Sequence, residues 1–157
     1  MEPALPRPHN DLGRILIEKG AFAEAIAALE RSVSLSDREP QYLSSLGYGY
    51  GITGKVDAAR RVLTELTEKS ERRYVAPSDL ALVNVGLDDQ DQALYWLERA
   101  YNDRDAHVLF VHTDPRFARL RSSPRFPGLL ARAGVHTAGI PARGDATTLG
   151  GVAKGSL

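Results

Sequence analysis

The 157-residue chain contains no cysteine. Disulfides, thiolate metal sites and a cysteine nucleophile are therefore excluded, and a reducing compartment is compatible. Net charge is also absent: 20 Lys and Arg balance 20 Asp and Glu. A globally electrostatic partner is not implied. No apolar run approaches the ~20 residues needed to span a bilayer, and "MEPALPRPHN" lacks a signal peptide's hydrophobic centre. The expectation is a soluble, cytoplasmic protein with no membrane role. What is present is ordinary: 43% hydrophobic and 25% charged residues, in a length suited to one domain with a real core.

Chemistry-bearing patterns are equally scarce. His9, His107, His112 and His136 form no His-x-x-x-His or His-Glu ligand pair, so no metal site is expected. His107 and His112 lie in "AHVLFVH", read as a helix that partly buries them in packing. Asp88, Asp89 and Asp91 lack the bidentate Glu that would complete a calcium loop, and read as turn and helix-start residues. In "GGVAKGS" the lysine precedes the glycine, the reverse of a phosphate loop. No Gly-x-Ser-x-Gly elbow occurs, and no residues assort as nucleophile and base. No catalytic residues and no cofactor are expected.

A repeat organises the first hundred residues. At an offset of 34, Ala25, Ala59 and Ala93 align, as do Leu29, Leu63 and Leu97, and Leu12, Leu46 and Leu80. Gly13 and Gly47 match, with Ala81 third. Each block reads as two helices around a tight turn: Leu12, Ile15 and Leu16 recur at helical spacing, Gly20 interrupts, and Ala25, Ile26, Leu29 and Val33 resume. Gly20 and Gly54 hold equivalent turn positions that favour a left-handed residue, and Asp88 stands third. Small residues at 13, 47 and 81 and alanines at 25, 59 and 93 suit close helix crossings.

This pattern, over Leu12 to Tyr101, resembles the tetratricopeptide repeat, with the consensus aromatics mostly aliphatic and the proline expected after each second helix displaced to Pro40 and Pro77. The expected fold is all-α: a right-handed solenoid of helical hairpins, three 34-residue repeats plus C-terminal capping helices. Residues 1–9 are read as a flexible extension, 10–135 as the repeat domain with its cap at about 105–135, and 136–157, glycine-rich and without periodicity, as a disordered tail. The last third is similar to the end of tetratricopeptide arrays in bacterial multidomain regulators, where such arrays follow winged-helix, adenylate cyclase or protein kinase domains. The resemblance implies a repeat module that ends its array with a capping segment, expected to belong to a bacterial regulatory or signalling assembly or to be a fragment of a longer array.

That segment repeats Pro-Arg-Phe at Pro115-Arg116-Phe117 and Pro124-Arg125-Phe126. Asp114 and Ser123 precede the prolines, each an N-cap before a first-turn proline, so the tripeptides mark two short helix starts. Phe117 with Leu120, and Phe126 with Leu129 and Leu130, then cover the exposed end of the last hairpin. The arginines between Arg116 and Arg132 are read as solvated faces.

The leading function is a scaffold whose first helices form a groove for a peptide or helix of a partner protein. Repeat register and the resemblance assign three groove rows: Asn10, Ser44 and Ser78; Arg14, Tyr48 and Leu82; Ile17, Gly51 and Val85. Tyr48 is the one aromatic among them, and either anchors the partner or packs between repeats. Gly49 and Gly51 cost about 1 kcal/mol each inside a helix, and are either tolerated or make room for a partner's backbone. The rows lack the Lys/Asn cluster with which chaperone-binding members hold a carboxylate. The alternative function is a nucleic-acid accessory segment acting through the arginine-rich cap. Self-association is expected through the open side of the Asp11 to Lys19 helix.

Overall fold

The computed structural model describes residues 4–134, which form seven α-helices and two 3-10 helices with no strand among the described residues. The order is α1 (Pro6–Glu18), α2 (Phe22–Leu35), α3 (Pro40–Ile52), α4 (Val56–Ser70), α5 (Pro77–Gly86) and α6 (Gln90–Asn102). A first 3-10 helix (Ala106–Phe110), a second (Pro115–Ser122) and α7 (Arg125–Arg132) complete it. The tail expected over 136–157 lies outside the described residues, as do residues 1–3.

The helices pack as three successive hairpins, α1 with α2, α3 with α4, and α5 with α6. Their turns repeat at the spacing of the sequence. Gly20, Gly54 and Asp88 all have left-handed backbones, with φ of 76°, 82° and 60°. The next residue closes each turn: Ala21 N–H donates to the Leu16 carbonyl (2.9 Å), Lys55 to Tyr50 (2.8 Å) and Asp89 to Asn84 (2.9 Å). Ala25, Ala59 and Ala93 are wholly buried where paired helices meet. At Gly13 a Cβ would stand 2.6 Å from the Leu29 side chain, and at Gly47 2.8 Å from Val62, so both positions need a small residue.

The expected flexible extension over 1–9 needs correction, because α1 begins at Pro6. Proline is pre-set for the first helical position, where its missing N–H is not needed. Pro40 and Pro77 open α3 and α5 in the same way, so they are helix starts and not displaced terminators. One period before Pro40 is Pro6, a signal the sequence already carried.

Two apolar clusters hold the stack. Leu29, Val33, Leu43, Leu46, Leu66 and Leu80 join the first hairpin to the second and third. Leu82, Val85, Leu94 and Leu97 meet Val111, Phe117, Leu120, Phe126 and Leu129 of the C-terminal segment. Both Pro-Arg-Phe phenylalanines are therefore core residues. Asp114 accepts from Arg116 N–H at 3.0 Å as an N-cap does; the Ser123 hydroxyl accepts from Arg125 N–H at 3.3 Å, but α7 starts only at Arg125, with Pro124 at its N-cap position. The helix begun at Pro115 is a 3-10 helix, and "AHVLFVH" forms a short 3-10 helix followed by a hydrogen-bonded turn. His107 is exposed there, against the expectation of partial burial.

The cap also covers more than the end of the last hairpin. Its second 3-10 helix packs on α5, the first helix of the third hairpin, and so occupies part of the face meant for the groove.

Candidate functional site

α1, α3 and α5 present one face, and the two 3-10 helices lie opposite it. Between them is a cavity of about 430 Å³. Five of the nine assigned groove residues border it: Asn10 and Arg14 from α1, Ser44 from α3, Ser78 and Leu82 from α5. Arg14 also joins Ile17, Tyr48, Glu18, Pro115 and Arg116 around an adjoining cleft of about 50 Å³.

Of the other four, Ile17 and Tyr48 border this cleft, and Gly51 and Val85 need correction. Val85 is buried in the cluster with the cap, and Leu82 shares that cluster, leaving only its edge at the cavity. Tyr48 is half-buried, packing against the same cluster while also bordering the small cleft. Burial is the main cause that lifts its phenol above the ordinary range. Gly51 faces the protein itself, because a Cβ there would run into the Gly86 backbone of α5, and one at Gly86 would meet Tyr48 Cα at 2.8 Å. At Gly49 a Cβ would press on Leu29 at 2.8 Å. The "GYGYG" glycines are thus neither drift nor room for a partner: they bring α3 against α5 and α2.

Polar groups line the cavity in an ordered way. The Ser44 hydroxyl donates to Asp79 Oδ1 at 2.7 Å, with the Gln41 carbonyl 3.0 Å away as the other acceptor. Desolvation pushes the Asp79 carboxyl up to about 6, against the opposing pull of that hydrogen bond. Asp105 behaves oppositely. Burial pulls it up, yet hydrogen bonds from Ser78 and His107 outweigh this and hold it below the usual carboxylate range. The Ser78 N–H donates to its Oδ2 at 3.1 Å, the His107 N–H to Oδ1 at 3.0 Å. At Asp114 burial is again overcome, here by Arg116, whose guanidinium grips the carboxylate at 2.6 and 3.0 Å. Arg116 also reaches the Ser45 hydroxyl at 3.4 Å, while Asn10 Oδ1 is buried at the same cavity without a partner.

Arg116 thereby departs from the solvated role given to the cap arginines, its side chain being only 18% exposed. Three of the others are outward but answered by acids, Arg119 by Asp88 (3.6 Å), Arg125 by Glu98 (3.1 Å) and Arg132 by Glu98 (3.8 Å), while exposed Arg121 reaches the Asp114 backbone carbonyl at 3.4 Å. The sequence reading missed Tyr42, Ser45, Asp79, Asp114 and Arg116 at the cavity. It also missed Arg7, although the Pro6 register places Arg7 one period before Gln41, another lining residue. The fold-back of Asp114 and Arg116 has no local signal, because it depends on the cap docking against α5.

A second cavity lies among α2, α3 and α4, where Arg38 grips Glu65 at 2.6 and 2.8 Å and the Tyr50 hydroxyl donates to Glu30 at 2.7 Å. Among the described residues no group of three or more His, Asp and Glu is placed to hold a metal ion, and no helix is long and apolar enough to cross a membrane. Comparison with protein-family models, curated proteins and solved structures gives no match to this chain.

Proposed function

We propose that the chain is a tetratricopeptide-like module that holds an extended segment of a partner protein at the α1/α3/α5 face. The 34-residue recurrence of turn bonds, left-handed turn residues and buried alanines supports the repeat reading. The observation that carries the binding reading is the cavity itself, assembled from three first helices and both 3-10 helices, with Arg14, Ser45, Asp79 and Arg116 directed at one space. Its volume falls in the ~300–1,000 Å³ range of ligand sites, and its mixed donors and acceptors suit a peptide backbone and polar side chains. The cap fills the Leu82 and Val85 end, so a partner enters at the Arg7, Asn10 and Tyr42 side. The nucleic-acid alternative draws less support, since the acids Asp88, Asp91 and Glu98 stand beside the cap arginines.

Selection of peptides from a random displayed library on the purified chain tests this. Selected peptides are expected to lose about 1–2 kcal/mol of binding to Arg14→Glu and to Tyr42→Ala, and nothing to Lys55→Glu on the far side. Peptides that bind all variants alike would place the site elsewhere. Duplex DNA binding that weakens steeply with salt would transfer the function to the cap.

A further inference from the structure

The three arginines bordering the main cavity each have an acid beside them, but one acid there has no base. Arg116 grips Asp114, and Arg7 and Arg14 approach Asp11 at 3.8 and 4.0 Å. Asp79 takes part in no ion pair among the described residues. Repeat register makes the contrast plain, because Asp11, Ser45 and Asp79 stand 34 residues apart and all border the cavity. Asp11 has its arginines, and the Ser45 hydroxyl accepts from Arg116 at 3.4 Å. Asp79 accepts only from the neutral Ser44 hydroxyl, and through Oδ1 alone.

A purely structural role accounts for half of this carboxylate. Its place in the first turn of α5 suits a negative charge, and the Ser44 bond ties α5 to α3. Neither uses Oδ2, which has no hydrogen bond among the described residues. A partly buried carboxylate in this state carries a desolvation cost that no cation of the chain offsets at contact distance. Burial is accordingly the chief cause that lifts its carboxyl to about 6. The adjoining wall suits the stem of a long basic side chain: Tyr42 and Phe110 border the same cavity, and Phe110 is 64% exposed.

We propose that the segment held in this cavity presents a lysine or arginine whose charged head donates to Asp79 Oδ2. The inference rests on the peptide-binding reading of the cavity and names what the partner must bring to it. Arg14 and Arg116 are left to serve the segment's carbonyl oxygens. A base seated on Asp79 favours its ionised form, so binding should tighten as pH rises through about 6 and level off above it. The charged and titratable groups facing Asp79 are Arg7, Asp11 and Arg14 from α1, Tyr42 from α3, and Tyr74 before α5. Asp105 and His107 come from the first 3-10 helix, and Asp114 and Arg116 from the second. Histidine is the side chain that most readily changes charge near neutral pH, and a neutral His107 would also favour an incoming base, so His107→Gln is the control.

The probes are peptides selected from the random displayed library on wild-type protein, and those that lose binding to Tyr42→Ala define the site. They are expected to share a Lys or Arg. Its replacement by Gln should weaken binding to wild type roughly ten- to hundredfold at pH 7.5, and should change little on Asp79→Asn. The rise with pH should persist in His107→Gln and vanish in Asp79→Asn. Because the peptide exchange is read on wild-type protein, the test stands even where a variant fails to fold. Tyr42-dependent peptides that lack a base, lose nothing when it is replaced, or bind Asp79→Asn as tightly as wild type would overturn the proposal and leave the peptide site standing. A library that yields no Tyr42-dependent peptide removes the site and the proposal together.

Discussion

Asp79 carries the most telling single-residue chemistry. Its carboxyl, lifted to about 6 from an ordinary value near 3.8, is more easily protonated in the folded chain than in the unfolded one. Between those two values the folded state holds more protons, so its stability falls as pH rises through the window and stays reduced above it. Two units correspond to on the order of 2–3 kcal/mol. Asp79→Asn keeps the shape and the Ser44 hydrogen bond without the charge. It should therefore be more stable than wild type at pH 8 by that order, with the gain gone below pH 4, as read by urea unfolding across pH. A variant less stable at pH 8, or a difference that ignores pH, would show that Asp79 is better solvated than its position implies. Asp105 and Asp114 work the other way: their lowered values stabilise the fold above the usual carboxylate range, and that stability is lost as pH falls.

Among the elements, α3 explains why a helix so rich in glycine persists. Gly47, Gly49 and Gly51 each face a neighbour too close for a side chain, so the entropy they cost is offset by the approach of α3 to α2, α4 and α5. Gly51→Ala should push α3 from α5 and cost roughly 1–3 kcal/mol. Gly128→Ala on α7, with nothing within 4 Å, should instead gain about 0.5–1 kcal/mol. Melting midpoints that move alike in both would contradict this account of α3. The hairpins themselves were legible in the sequence because their determinants are local and periodic: turn residues at 20, 54 and 88, alanines at 25, 59 and 93. Residues 13 and 47 were legible for the same reason. Gly51 was not, because its neighbour Gly86 comes from a different hairpin and carries no side chain to form a pattern.

For the whole molecule, the decisive feature is where the C-terminal segment lies. Its apolar residues and N-caps could be read from Asp114, Pro115, Phe117 and Ser123, but their direction could not. The same burial is satisfied by covering the end of a stack or by turning onto its first-helix face. The structure has the segment on both, and this turns an expected open groove into a smaller polar cavity with Arg116 and Asp114 in its wall. Val85, placed in the groove by repeat register and the resemblance, is a packing residue for that reason, and Tyr48 packs partly against the same cluster. Of the nine assigned residues, Asn10, Arg14, Ser44, Ser78 and Leu82 border the cavity, Ile17 and Tyr48 border the adjoining cleft, Gly51 packs on α5 and Val85 is buried under the cap.

The seating of this segment is tested most directly by a double-mutant cycle between Leu82 on α5 and Phe117 in the second 3-10 helix, which share a buried cluster and border the same cavity. Phe117→Ala alone should cost roughly 3–5 kcal/mol and Leu82→Ala roughly 2–5 kcal/mol. If the cap rests on the first-helix face, the double variant should lose less than the sum, with a coupling of about 0.5–3 kcal/mol. Additive losses would mean that the two residues do not meet, and that neither the cap in the groove nor the cavity it encloses is correct.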